Sequence, residues 1–182
     1  SEGDKEPKDL RKLDHALEGA ITALIEDGEL KGKKGETTII HTFGKIGPTR
    51  LMVSGLGKPE KLDQQILREV MAGACRQLRR LGQESVAVMS YSSGIGEIDG
   101  AGWGQAVAEG ATLGLYRFNN YKNNDDDNEN HEIKELSLVA QDTGSLDALK
   151  KGVHQGQLLA EAAILARNMV NEPANVLTPT QM

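Results

Sequence analysis

The chain is 182 residues long, 38% hydrophobic but only 3% aromatic, and carries a formal net charge of −6. That length holds one sizeable core, packed mainly by aliphatic side chains, and the negative charge argues against a nucleic-acid partner, because a phosphate backbone is repelled on average. The single cysteine, Cys75, rules out an internal disulfide framework; no apolar run approaches the roughly 20 residues of a membrane span, and the charged start Ser1–Lys12 carries no secretory signal, so a cytoplasmic, reducing setting with no membrane partner is expected.

Leu10, Leu13, Leu17, Ile21, Leu24 and Ile25 recur at helical spacing and predict one helix, with Gly28 as its stop. Glu36–Thr42 is rich in β-branched residues and predicts a strand; Lys45-Ile46-Gly47-Pro48 predicts a turn, and Arg50–Ser54 a second strand closed by Gly55-Leu56-Gly57. Asp63 is placed to cap a long helix whose buried face runs Ile66, Leu67, Val70, Met71, Ala74, Leu78 and Leu81. Gly82 stands where a left-handed residue ends such a helix. Arg76, Arg79 and Arg80 on that helix read as a solvated face.

Ser85–Ser90 (SVAVMS) shows little polar alternation and predicts a strand covered on both faces. A glycine-rich passage, Ser92–Gly104, precedes a helix over Gln105–Leu115 with Val107, Ala111 and Leu115 on one side. Asn119–Glu132 is acidic and reads as a surface loop; Leu136, Leu138 and Ala140 mark a fourth strand, and a last helix runs from about Ser145 to Val170. Strands alternating with helices define an α/β fold with a mixed or largely parallel sheet and helices on its faces.

Few segments suggest chemistry. Gly55-Leu56-Gly57 lacks the third glycine of a dinucleotide fingerprint, because Glu60 occupies that place, so it reads as a tight turn. Gly94-Ile95-Gly96 with Gly100, Gly102 and Gly104 could cradle an anion through backbone N–H groups, but the spacing fits no phosphate loop and Glu97 and Asp99 would repel one. Asp125-Asp126-Asp127-Asn128-Glu129 fails as a calcium loop, which needs glycine and glutamate where Asn130 and Leu136 stand. His131-Glu132 lacks the second histidine of a zinc helix, since position 135 is Glu135. His15, His41, His131 and His154 share no ligand spacing, and Cys75 reads as a small core residue. From the residues alone the chain is an α/β domain without a convincing active site.

The closing stretch adds more. Ala166–Pro179, ARNMVNEPANVLTP, resembles the segment that opens the catalytic domain in the leucine aminopeptidase family of metallopeptidases (cytosol aminopeptidase, peptidase family M17). Lys31-Gly32-Lys33, Gly35-Glu36-Thr37, Val53–Lys58, Gly114–Phe118 and Tyr121-Lys122 resemble pieces of that family's amino-terminal domain and occur in the family's order. The junction makes local sense: Pro173 cannot continue a helix, and Glu172 and Thr178, each before a proline, favour extended backbone.

The resemblance implies a macro-domain-like amino-terminal domain over 1–144, an interdomain linker helix over 145–170, and the start of a truncated catalytic domain over 171–182. It implies a parent that removes amino-terminal residues from peptides with two Mn²⁺ or Zn²⁺ ions, and a hexamer in which this domain contributes contacts. The ligands of those ions would lie after Met182, so no catalytic, cofactor-binding or metal residue is assigned, no cofactor is expected in this chain, and it is expected to be inactive alone. Its expected partners are its own C-terminal catalytic domain, further copies of itself and, in the parent, peptide substrate. Family members usually open with a strand ahead of the segment matching Leu10–Gly28; here charged residues stand instead, which predicts a sheet one strand short. A second expectation, from the glycines of 94–104, is a free-standing macro-like module that binds ADP-ribose or a related nucleotide.

Overall fold

The first apolar stripe folds as two helices, not one. In the structure, a computed structural model describing residues 8–90, 97–121, 131–140, 143–173 and 175–178, α1 covers Lys8–Ala16 and α2 covers Ala20–Glu26. Between them Glu18 (φ 56°) and Gly19 (φ 83°) are left-handed. The amide of Gly19 donates to Asp14 O and that of Glu18 to His15 O, the paired bonds that close a helix end. The periodicity survives because Leu17 and Ile21, one on each side of the break, enter the same core.

Asp14 also starts α2, whose own Gly19 has no capping side chain. One carboxylate oxygen accepts from the amides of Ile21 at 2.8 Å and Thr22 at 3.2 Å, and the other from Thr22 Oγ1 at 2.5 Å. The Thr22 hydroxyl is the main reason this carboxyl titrates below its ordinary range. Asp14→Ala should therefore cost about 1 kcal/mol in urea unfolding at neutral pH, the usual worth of a helix cap. A depressed folded pKa gives stability that is present above the unfolded value and lost as pH falls through the folded one, so the difference between the two proteins should shrink below about pH 4. A difference that did not change with pH would show that the carboxylate charge plays no part.

The chain divides at Gly57/Lys58 into two compact units. In the first, β1 (Thr37–His41) and β2 (Arg50–Ser54) pair antiparallel, with Thr37 opposite Ser54 and His41 opposite Arg50. Buried Thr42 ties the connection between them, its hydroxyl donating to Pro48 O at 2.6 Å. Leu17, Ile21, Leu30 and Ile40 form the core of this unit, with Leu10, Leu13, Leu24 and Val53 packed around it.

In the second unit a short 3-10 turn, Pro59–Lys61, leads into α3 (Gln64–Arg80). Asp63 caps α3, accepting from the amide of Ile66 at 2.7 Å, and Gly82 (φ 69°) closes it. Cys75 is wholly buried on α3, although Leu81, expected on the buried face, is exposed. Next come β3 (Ser85–Met89), α4 (Gly100–Leu115), β4 (Glu135–Val139) and α5 (Leu146–Asn171). β3 and β4 run parallel, with Ser85 opposite Glu135 and Met89 opposite Val139.

Three expectations change here. β3 is not covered on both faces: Ser85 and Ala87 are exposed while Val86 and Val88 are half-buried, so the strand alternates after all. α4 begins at Gly100, five residues before the predicted start, because Asp99 caps it by accepting from the amide of Gly102 at 2.7 Å. Arg79 is not solvated: it is buried, and its Nη1 donates to Leu115 O at the end of α4 at 2.9 Å, where a cation suits the negative end of the helix dipole. The described strands thus form two two-stranded sheets within a mixed α/β fold. Helix α4 lies between α3 and α5 as the main helical contact of the second unit.

Candidate functional site

The segments that carried the resemblance meet in pairs. In the first unit the turn over residues 31–36 packs on the end of β2. The amides of Lys31 and Lys33 donate to Glu36 Oε2 at 2.8 and 3.1 Å, that of Gly55 to Glu36 O at 2.8 Å, and that of Gly57 to Gly32 O at 3.0 Å. A Cβ on Gly55 would stand 2.2 Å from Lys33 O. Gly55-Leu56-Gly57 is therefore a packing turn, as its missing third glycine indicates.

In the second unit the end of α4 meets the end of α5. Tyr116 leaves the helix in extended geometry, and its phenol donates to Asn168 Oδ1 at 2.7 Å while accepting from Asn171 Nδ2 at 3.2 Å. The Arg167 guanidinium lies 5.6 Å from the centre of the Tyr116 ring, within reach of a cation–π attraction. One layer out, Asn120 Nδ2 donates to Glu172 Oε1 at 3.0 Å and the Tyr121 hydroxyl donates to Glu172 Oε2. That last bond is the chief cause of the raised Tyr121 pKa. Glu172 is extended at φ −67°, ψ 134°, as a residue before proline should be. The amides of Val176 and Leu177 then turn back onto Pro173 O at 2.8 and 3.0 Å. The Tyr-Arg-Phe and Asn-Glu-Pro segments, about 50 residues apart, together make a clamp that fixes how the chain leaves α5.

The clamp is a positioning device, since it holds neither a nucleophile paired with a base nor a metal-ligand set. Beside it opens a cavity of about 450 Å³, lined in part by Arg79, Arg117, Asn120, His131 and Glu132. Among the described residues no group of three or more His, Cys, Asp or Glu comes together that could hold a metal ion. Burial pushes the Cys75 thiol up to about 11, which keeps it protonated and poorly nucleophilic. The four histidines stand on separate segments: His15 on α1, His41 on β1, His131 before β4 and His154 on α5. Gly100, Gly102 and Gly104 belong to α4, and a Cβ on Gly104 would stand 2.5 Å from Leu149 O. Gly94, Gly96 and the acidic run 125–129 lie outside the described residues. No helix among the described residues is long and apolar enough to cross a membrane.

Replacing Tyr116 by phenylalanine should keep the ring under Arg167 but lose both hydrogen bonds. The expected cost is about 1–2 kcal/mol, with amide exchange at Asn168–Glu172 faster by roughly tenfold as the last turn of α5 opens more often. The Tyr121 bond carries its own pH signature. Its pKa is raised, so its contribution is present below the ordinary phenol range and is lost as pH rises through the raised value. The protection of the same amides, taken relative to the intrinsic base-catalysed rate, should therefore fall further in alkali, and a Tyr116→Phe protein whose protection matched the parent at every pH would remove the clamp.

The described elements define a mixed α/β domain whose last helix leaves in a fixed direction, a class of fold that hosts many functions. Here the match is specific: residues 1–125 fit the model described as "Cytosol aminopeptidase family, N-terminal domain", and the chain belongs to that family. It is 39% identical over 170 residues to a protein of Alkaliphilus metalliredigens described as "Probable cytosol aminopeptidase", covering 93% of this chain and 34% of that protein. A protein of Alkaliphilus oremlandii with the same description is 38% identical over 182 residues, covering 100% of this chain and 36% of its own length. The chain thus spans about a third of the length of these curated relatives. Among solved structures, a mutant of tomato leucine aminopeptidase is similar with a TM-score of 0.72 at 22% identity, covering 96% of this chain and 33% of that one. The bottromycin maturation enzyme BotP in complex with Mn is similar with a TM-score of 0.70 at 24% identity, covering 87% and 31%. At these identities the structural likeness speaks for the fold.

Proposed function

We propose that this chain is the non-catalytic amino-terminal part of a dinuclear-metal leucine aminopeptidase that removes amino-terminal residues from peptides in the cytoplasm. The observation that carries the proposal is the clamp between Tyr116, Asn120 and Tyr121 and the Asn168–Glu172 end of α5. It fixes how the chain leaves α5, and the match of residues 1–125 to the family's N-terminal domain supports the same reading. Under this reading residues 1–144 form the macro-like domain, 145–170 the linker helix, and 171–182 the first residues of the catalytic domain.

The two Mn²⁺ or Zn²⁺ ions, the peptide site and most contacts of a hexamer would then belong to the catalytic domain, and this domain would support assembly. In such a centre the ions polarise the peptide carbonyl and activate water, and no residue of this chain has a role in that step. The test compares leucine amide hydrolysis by the 182-residue chain and by a protein of the relatives' length, each with Mn²⁺. Hydrolysis is expected only from the longer protein, and only without a chelator. Chelator-sensitive hydrolysis by the 182-residue chain, or none by the longer protein, would overturn the proposal.

A further inference from the structure

Helix α5 has two faces with different needs. One face, with Leu149, Gly152, Gly156 and Ala160, is buried. About half a turn away run Leu158, Ala162, Leu165 and Met169, spaced by four, three and four residues, which puts them in one line. Leu158 is 55% exposed and Leu165 62%; Leu159, 49% exposed, and Val170, 84% exposed, stand about 100° round the helix from that line. The same face is polar in the first half of the helix, where Lys151, His154 and Gln155 stand exposed. A solvated helix face carries charge along its length, whereas here three consecutive turns carry none but Glu161 and Arg167. Contiguous apolar surface of this kind marks a contact site.

We infer that the outer face of α5 from Leu158 to Val170 is the docking surface for the polypeptide beyond residue 182 in a protein of the relatives' length. This rests on the function proposed above. Three observations choose this occupant. The relatives are about three times as long as this chain, so a partner of sufficient size is at hand. The apolar stretch is confined to the end of α5 from which the chain departs, and it stops where Lys151 and His154 begin. The clamp holds Asn171 and Glu172 directly after Met169 and Val170, so the outgoing chain emerges beside the patch. A tethered segment held there has a high effective concentration and outcompetes a free second copy.

Accessibility and occupant are tested together on the longer protein. Leu165→Cys and Lys151→Cys stand about four turns apart on one face, and maleimide labelling is read by mass at each position. Leu165→Cys is expected to react at least roughly 100-fold more slowly, the ratio being set by how seldom the contact opens. Equal rates would overturn the docking surface. The occupant is read without mutation: the longer protein is made with photo-leucine as a mixture of ¹⁴N and ¹⁵N chains and irradiated. Cross-links from Leu158 or Leu165 to peptides beyond residue 182, within one isotope only, are expected. Mixed-isotope pairs would assign the face to a second copy and overturn the inference, as would the absence of any cross-link from these two residues. Leucine amide hydrolysis on the same sample separates the two claims. Fast labelling in an active enzyme sinks the docking surface alone, whereas protection in an inactive protein sinks the aminopeptidase reading alone.

Discussion

Replacing Gly152 with alanine should lower the unfolding free energy by about 3 kcal/mol, at the upper end of what overpacking costs, with a fall in Tm on the order of 10 °C. The position lies inside α5, where alanine is intrinsically the better helix former by about 1 kcal/mol. Propensity alone therefore predicts a gain, and the tertiary contact decides the sign. A Cβ on Gly152 would sit 1.9 Å from the carbonyl oxygen of Ala101 on α4. That is backbone, which cannot rotate aside as a side chain can.

The helices would have to part, and they touch along a whole ridge. Gly152, Gly156 and Ala160 recur every four residues on α5, and a Cβ on Gly156 would meet Gln105 O at 2.5 Å. From α4, Gly104 closes on Leu149 in the same way. Separating the pair at one point loosens dispersion contacts along the ridge, because an interior gap of less than an ångström already forfeits much of each contact. Gly73→Ala supplies the contrast. Gly73 lies within α3 and a Cβ there meets nothing within 4 Å, so the change should stabilise by roughly 0.5 kcal/mol through helix propensity. Urea unfolding of both variants checks the pair. A Gly152→Ala protein as stable as the parent would mean that α4 and α5 are not held at this distance.

The same ridge shows which features were legible. Local signals read correctly: Asp63 caps α3, and Gly28 and Gly82 adopt the left-handed backbone that ends α2 and α3. Each depends on bonds within a few residues of itself, so the sequence around it is sufficient. The break between α1 and α2 was hidden for the converse reason. Two left-handed residues make it, Glu18, a type that rarely takes that role, and Gly19, and the apolar stripe continues across both because the two helices feed one core. The early start of α4 was hidden by composition, since Gly100, Gly102 and Gly104 read as loop until the neighbouring helix that needs close approach is in view. Arg79 looked like its neighbours Arg76 and Arg80, because its partner, Leu115 O, is 36 residues away.

For the candidate site, sequence pointed to the right segments but not to their pairing. The Tyr116-to-Phe118 stretch and Asn171-Glu172-Pro173 were each singled out as family-like. Nothing in their spacing says that Tyr116 bonds to Asn168 or that Tyr121 bonds to Glu172. The family itself was legible because several short segments agreed in order, and the match over residues 1–125 bears that out.

The second large effect is expected where α3 and α4 close on each other. Arg68→Met should cost about 3 kcal/mol, the low end of the range for breaking a buried ion pair. Glu109 is only 8% exposed. One of its oxygens accepts from Arg68 Nε and the other from Gln105 Nε2 at 2.7 Å. Arg68 is further held by Gln65 Oε1 at 3.1 Å, and the two helices approach closely beside it, a Cβ on the neighbouring Gly110 standing 2.6 Å from Arg68 O. Without the guanidinium, a carboxylate remains in that gap with one amide to face it. The expected cost sits at the low end because the Arg68 side chain keeps 27% of its surface in solvent, which screens part of the attraction. The double variant Arg68→Met/Glu109→Leu should recover most of the loss, since replacing both charges by apolar groups removes the desolvation penalty along with the attraction. A four-protein cycle in urea gives the coupling directly. A single Arg68→Met cost below about 1 kcal/mol would place the pair with exposed surface bridges, and a double variant no more stable than the single would show that the shape of the two side chains, not their charge, holds α3 on α4.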